Sequence, residues 1–219
     1  MNNILLVGGG EFQEECLNMD SYLLKSLNKK HPRVAIIPTA AANQRPEKAA
    51  ENGVRYFDSL EANANPIMIL NRAHAEDENY CNDLHGVDLI YLTGGDPKHL
   101  LATLCQTSFM AAITKAVSEG ATLAGSSAGA MVLGSRMRYR NWMRGIGLIS
   151  NTAVLPHHEN SFPETVSSEN QSELLSGIEI IGIDSATGVL LEGNGVKIVG
   201  KGKATFYSRS TYKIIESAS

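Results

Sequence analysis

Short apolar runs and amphipathic stretches alternate along the first two thirds of the chain, and this predicts β-α-β units rather than hairpins. The first run, residues 4–7, ends in Gly8-Gly9-Gly10. A helix is expected from about residue 14 to 29, with Leu17, Leu23, Leu24 and Leu27 near helical spacing. Residues 34–37 form the next apolar run, stopped by Pro38, and residues 46–60 read as a helix with proline in its first turn. Further strands are expected at 66–70 and 89–92, the latter ending in Thr93-Gly94-Gly95-Asp96. Helices follow at 97–104 and 108–119, with Gly120 as a C-terminal stop. Another strand, 121–124, leads into Gly125-Ser126-Ser127-Ala128-Gly129 and a helix-forming stretch.

Continuous apolar strands separated by helices indicate a mostly parallel sheet covered on both faces. After about Gly177 the texture changes to short β-prone runs at 180–183, 187–192, 196–199 and 204–207, punctuated by Asp184-Ser185, Gly193-Asn194-Gly195 and Gly200-Lys201-Gly202. These predict an antiparallel C-terminal β extension with no linker, so residues 1–219 read as a single α/β domain. Residues 164–176 are polar, a surface helix or a flap.

Composition narrows the function classes. Charged residues are 19% of the chain and the net charge is −4, with no block of one sign, which argues against nucleic acid or a membrane surface as partner. Three widely spaced cysteines (Cys16, Cys81, Cys105) suggest neither a disulfide framework nor a metal knuckle. The N-terminal apolar run is four residues long and lacks a basic flank, so a soluble, cytoplasmic protein is the expectation. Gly8-Gly9-Gly10-Glu11 lacks the spacing of a dinucleotide loop, since position 13 is Gln.

The candidate chemistry lies at the glycine loops, because ligands of parallel sheets bind beyond the carboxyl ends of the strands. Gly-x-Ser-x-Gly between a strand and a helix is the pattern of a nucleophile elbow, which makes Ser127 the candidate nucleophile. A serine needs a base. His31, His74, His85 and His99 sit in polar or helical contexts and read as surface or structural residues, whereas His157 and His158 follow the apolar run 153–156 at the same rim as Ser127. An oxyanion hole needs two backbone donors, and Ala128 and Gly95 are the candidates.

Thr93-Gly94-Gly95-Asp96, Gly125-Ser126-Ser127-Ala128-Gly129-Ala130, Pro156-His157, the Gly8-Gly9-Gly10-Glu11 loop and the 182–193 stretch together resemble peptidase family S51, which contains peptidase E and cyanophycinase. The resemblance implies a class I glutamine amidotransferase-like fold and hydrolysis of peptide or isopeptide bonds next to aspartate. No metal or other cofactor is implied. It assigns Ser127 as nucleophile, His157 as base, Gly95 and Ala128 as oxyanion donors, and puts His158 where the family often carries an aromatic. The substrate would be a small peptide; the sequence leaves a monomer and a homodimer both open.

Two departures stand out. Family members carry an acid between serine and histidine, and residues 133–156 contain none. Asn141 lies about where it would be expected and is the candidate orienter of His157, with Glu159 and Glu192 as alternatives. Nor does any Lys or Arg occupy residues 159–171, where a substrate-gripping arginine is expected, and Pro97 stands where cyanophycinases show Gln. The Arg136-x-Arg138-x-Arg140 cluster is the other source of positive charge, so Asp96, His158, Arg138 and Arg140 are the candidate substrate contacts. The rival readings are a weak or inert ligand-binding homologue and a small-molecule esterase or amidase.

Overall fold

The computed structural model describes residues 4–193, 195–209 and 211–217. Its strands are β1 (Ile4–Val7), β2 (Arg33–Ile37), β3 (Asn63–Pro66), β4 (Leu89–Leu92), β5 (Thr122–Ser126), β6 (Arg136–Tyr139), β7 (Asn141–Arg144), β8 (Thr152–Pro156), β9 (Glu179–Ile183), β10 (Thr187–Glu192), β11 (Gly195–Gly200), β12 (Lys203–Ser208) and β13 (Thr211–Glu216). The helices are α1 (Leu17–Ser26), α2 (Pro46–Ser59), α3 (Arg72–Glu76), α4 (Glu78–Asn82), α5 (Pro97–Leu104), α6 (Ser108–Ser118), α7 (Ala128–Leu133), α8 (Pro163–Glu169) and α9 (Gln171–Leu175).

The main sheet has seven strands in the order β11-β10-β1-β5-β4-β2-β3. From β1 to β3 every pairing is parallel, while β10 and β11 add antiparallel strands at the β1 edge. Alternation along each strand feeds two cores. Leu5, Val34, Ile36, Leu89 and Tyr91 pack with α1 and α2, while Leu6, Ala35, Ile37, Ile90 and Leu92 pack with α5, α6 and α7. This double coverage explains why the strands read as unbroken apolar runs, each buried Leu or Ile contributing about 2 kcal/mol.

The C-terminal β-rich region is divided between two sheets. While β10 and β11 extend the main sheet, β9 and β12 join β13 and β8 in a four-stranded sheet ordered β13-β12-β9-β8. Within it β8 and β9 run parallel, Pro156 opposite Ile183. α8 and α9 meet at Asn170, resolving the 164–176 stretch as two short helices, and Val166 and Leu174 pack on this second sheet with Trp142, Ile180 and Tyr207.

Two sequence expectations shift. The strand expected at 66–70 lies earlier, at Asn63–Pro66, on the edge of the sheet, where Asn63 and Ile67 donate to the Pro32 and Ile36 carbonyls and the Pro66 ring nitrogen faces the open edge. Beyond it, Ile67 donates one last bond to the Ile36 carbonyl at 2.9 Å, and Ile67 and Ile69 are buried in irregular chain. The arginine-rich stretch expected to offer substrate contacts is the antiparallel hairpin β6–β7, with Met137 buried and Arg136 and Arg138 half-buried on its other face.

Candidate active site

The carboxyl ends of β1, β4 and β5 converge, and the site is assembled there by backbone hydrogen bonds. Three consecutive carbonyls leaving β1 each take an amide from a different segment. Val7 accepts from Ser127 N–H at 2.9 Å, Gly8 from His157 N–H at 2.9 Å and Gly9 from Ala186 N–H at 2.8 Å. The end of β1 thereby fixes the relative position of a residue following β5, one following β8 and one following β9.

Ser127 sits at the corner between β5 and α7 with φ 48° and ψ −107°. Such a backbone costs a non-glycine residue on the order of 1–3 kcal/mol and persists only where the surroundings impose it. They do so here: a Cβ on Gly125 would come within 2.6 Å of the Gly129 backbone, so the corner can close only between glycines. The turn brings Ser127 Oγ to 3.1 Å from His157 Nε2. His157 also has a positive φ, 53°, and its ring occupies the space that a Gly9 side chain would need.

The other imidazole nitrogen, Nδ1, lies 3.0 Å from Ser185 Oγ. Glu159 in turn takes both donors of Ser185, the N–H on Oε2 and the hydroxyl on Oε1, each at 3.0 Å. The side chains therefore form a continuous chain, Ser127–His157–Ser185–Glu159. Partial burial pushes Glu159 up, but the hydrogen bonds from its own N–H and from Ser185, with His157 beside it, hold it below the usual carboxylate range.

Glu11 braces the rim from the opposite side. Its Oε1 accepts the Gly94 N–H at 2.7 Å and its Oε2 the Ser126 hydroxyl at 2.7 Å, tying the β4 loop to the end of β5. A Cβ on Gly94 would lie 3.4 Å from Ser127 Cβ, which puts this loop against the serine. Neither the Gly95 nor the Ala128 N–H has a hydrogen-bond partner among the described residues.

Several sequence candidates are engaged elsewhere. Asn141 opens β7 on the exposed hairpin, and the partner of His157 Nδ1 is Ser185 rather than Asn141. Glu192 ends β10 beyond the Leu191–Ile4 pair, at the opposite end of β1 from Gly8. Asp96 caps α5, accepting from the Lys98 and His99 N–H groups. His158 is buried with Nε2 2.7 Å from Tyr207 Oη, and burial pushes its pKa down. Arg138 donates to Glu169 and Asn170, and Arg136 is bidentate on Glu173, so the basic hairpin is pinned to α8 and α9. Arg140 occupies the hairpin turn with φ 60°.

Ser185 was missed because its place depends on β8 and β9 pairing in parallel, which periodicity does not encode. The signal was the Gly182-Ile183-Asp184-Ser185 strand end, matching Leu155-Pro156-His157 in form. A cavity of about 750 Å³ beside Cys81, Asp88 and Ala121 lies at the amino ends of β4 and β5, away from this constellation. No cluster of His, Cys, Asp or Glu suited to a metal occurs among the described residues.

Residues 4–199 match peptidase family S51. Cyanophycinase from Geminocystis herdmanii is 27% identical, aligned over 93% of this chain and 79% of its own. An uncharacterized peptidase, YgaJ of Bacillus subtilis, is 25% identical over 60% of this chain and 56% of its own. The crystal structure of a peptidase from an acI-B1 Actinobacterium shares the fold with a TM-score of 0.86 at 27% identity, covering 100% of this chain and 96% of that one. Fold and relatives thus define a serine-type peptidase. The chain belongs to peptidase family S51.

Proposed function

We propose that Ser127 is the nucleophile of a small-peptide hydrolase and His157 its general base and acid. The observation that carries this reading is the 3.1 Å contact between Ser127 Oγ and His157 Nε2 at a glycine-flanked strand-to-helix corner, a nucleophile elbow. Ser127 Oγ attacks the scissile carbonyl carbon while its proton passes to Nε2. Collapse of the tetrahedral intermediate breaks the C–N bond, and the same proton goes to the leaving amine. Water then repeats the sequence on the acyl-enzyme. The free Gly95 and Ala128 N–H groups are suited to hold the oxyanion.

Preference for an acidic residue at the cleaved bond is supported by a groove of about 550 Å³ bordered by Gly94 and Gly95 and lined by Gln44, Arg45, Lys48 and Asn52, with the one lining carboxylate, Glu11, engaged by the Gly94 N–H and the Ser126 hydroxyl. Neither Arg45 nor Lys48 has a carboxylate within ion-pair distance among the described residues, so both are available to a substrate carboxylate.

Intact-mass labelling with a fluorophosphonate probe tests the nucleophile. One adduct on the wild type is expected, retained in Ser126→Ala and absent in Ser127→Ala. An unlabelled wild type, or an adduct lost only with Ser126→Ala, refutes the assignment.

A further inference from the structure

We propose that Ser185 and Glu159 are the positioning residues of His157, with Glu159 acting through the Ser185 hydroxyl rather than touching the imidazole. The inference rests on Ser127 and His157 being the reacting pair.

The argument is one of proton counting. Ser185 Oγ lies 3.0 Å from Glu159 Oε1 and 3.0 Å from His157 Nδ1. A serine hydroxyl has one proton to donate, and an ionised carboxylate can only accept. The proton therefore points to Glu159, and the oxygen lone pairs are left to receive Nδ1–H. With Nδ1 protonated, neutral His157 has a bare Nε2, the form that accepts the Ser127 proton across 3.1 Å. The direction of every bond in the chain is thus set from its far end.

The Ser185 N–H on Oε2 prevents the carboxylate from rotating, so both oxygens of Glu159 are committed to one residue. The flanking groups do not offer a competing anion at Nδ1. Asp184 Oδ2 accepts the Lys203 N–H at 3.2 Å, and neighbouring His158 is turned inward to Tyr207.

During turnover the Nδ1 proton stays on His157 and the hydroxyl proton stays on Ser185. The proton taken from Ser127 resides on Nε2, and the imidazolium charge is met by the aligned hydroxyl dipole and the Glu159 carboxylate behind it. If Glu159 is replaced by glutamine, an amide N–H can donate to Ser185 Oγ. The hydroxyl is then free to donate to Nδ1, which favours the tautomer carrying hydrogen on Nε2. That tautomer cannot accept from Ser127.

The test combines two readouts on wild type, Glu159→Gln and Ser185→Ala. One is the ¹⁵N chemical shifts of the His157 ring at neutral pH. The other is the rate constant of fluorophosphonate labelling at Ser127. The wild type should show a protonated Nδ1 and bare Nε2. Glu159→Gln should raise the Nε2-protonated fraction, and both variants should label about 100-fold more slowly, less than the roughly 10⁴ lost when a triad aspartate in direct contact with its histidine becomes asparagine. A Glu159→Gln ring with wild-type tautomer populations, or either variant labelling within twofold of wild type, overturns the relay. A wild type that takes no label at Ser127 fails the nucleophile reading instead, and the ring shifts still decide the relay.

Discussion

The imidazole of His157 lies over Gly9, filling the volume where a side chain at that position would project. Gly9 also has φ 127°, so an added Cβ there is strained whatever room is made for it. Gly9→Ala should displace the ring from Ser127 and lower kcat/KM by about 100-fold or more, since small misplacements of a reacting group carry costs of that order. Peptidase assays alongside thermal melts check this. Unfolding without a separable loss of activity would count against it.

Glu11 is expected to matter through the loop it holds. Glu11→Ala removes the acceptor of both the Gly94 N–H and the Ser126 hydroxyl, releasing the loop that carries Gly95. The expected loss is about 10²-fold in kcat with KM little changed, comparable to removing one oxyanion donor. Steady-state kinetics on a peptide substrate decide it, and a change confined to KM would contradict the account.

The groove beside Gly95 predicts charge selectivity. Alanine at both Arg45 and Lys48 should reduce the preference for Asp-x over Ala-x dipeptides, measured as a ratio of kcat/KM, by about tenfold, equivalent to ~1.4 kcal/mol. Arg138→Ala should leave that ratio alone, because this guanidinium is occupied by Glu169 and Asn170. The reverse pattern would move the acidic subsite to the hairpin.

Asp20 predicts how stability varies with pH. It is fully buried on α1, and burial pushes it up to about 7, opposed by the 2.8 Å hydrogen bond from Tyr56 Oη. The folded state keeps a proton that the unfolded chain releases near pH 4, so unfolding free energy should fall as pH rises from about 4 to 7 and level off above. The slope approaches about 1.4 kcal/mol per pH unit. Asp20→Asn should remove this slope. Urea midpoints across the range measure it, and identical curves for the two proteins would refute it.

The strands were readable because burial on both faces leaves almost no polar position, as in β1 and β4. That Ser127 and His157 meet at one rim was readable for a related reason: each directly follows a buried strand, the serine bracketed by glycines and the histidine preceded by proline. Ser185 was not, since it reaches His157 only through the pairing of β8 with β9, a contact between segments that periodicity treats separately. The hairpin's alternation Arg136-Met137-Arg138-Tyr139 has a period of two, but four residues with a single buried position are too short a run to mark a strand. Asn141 stands in sequence where the acid was expected, yet it opens β7 and the partner of His157 Nδ1 is Ser185. Proximity in sequence to an expected acid says nothing about which side of a hairpin faces the histidine.

The serine follows a strand of one sheet and the histidine a strand of the other, and the short run Val7–Gly8–Gly9 is the seam that holds them in register. A partial parting of that seam would separate Ser127 Oγ from His157 Nε2 while leaving both sheets, and nearly all the secondary structure, intact. Turnover should therefore disappear on warming before circular dichroism changes, making the peptidase a gauge of how firmly its own two halves are closed.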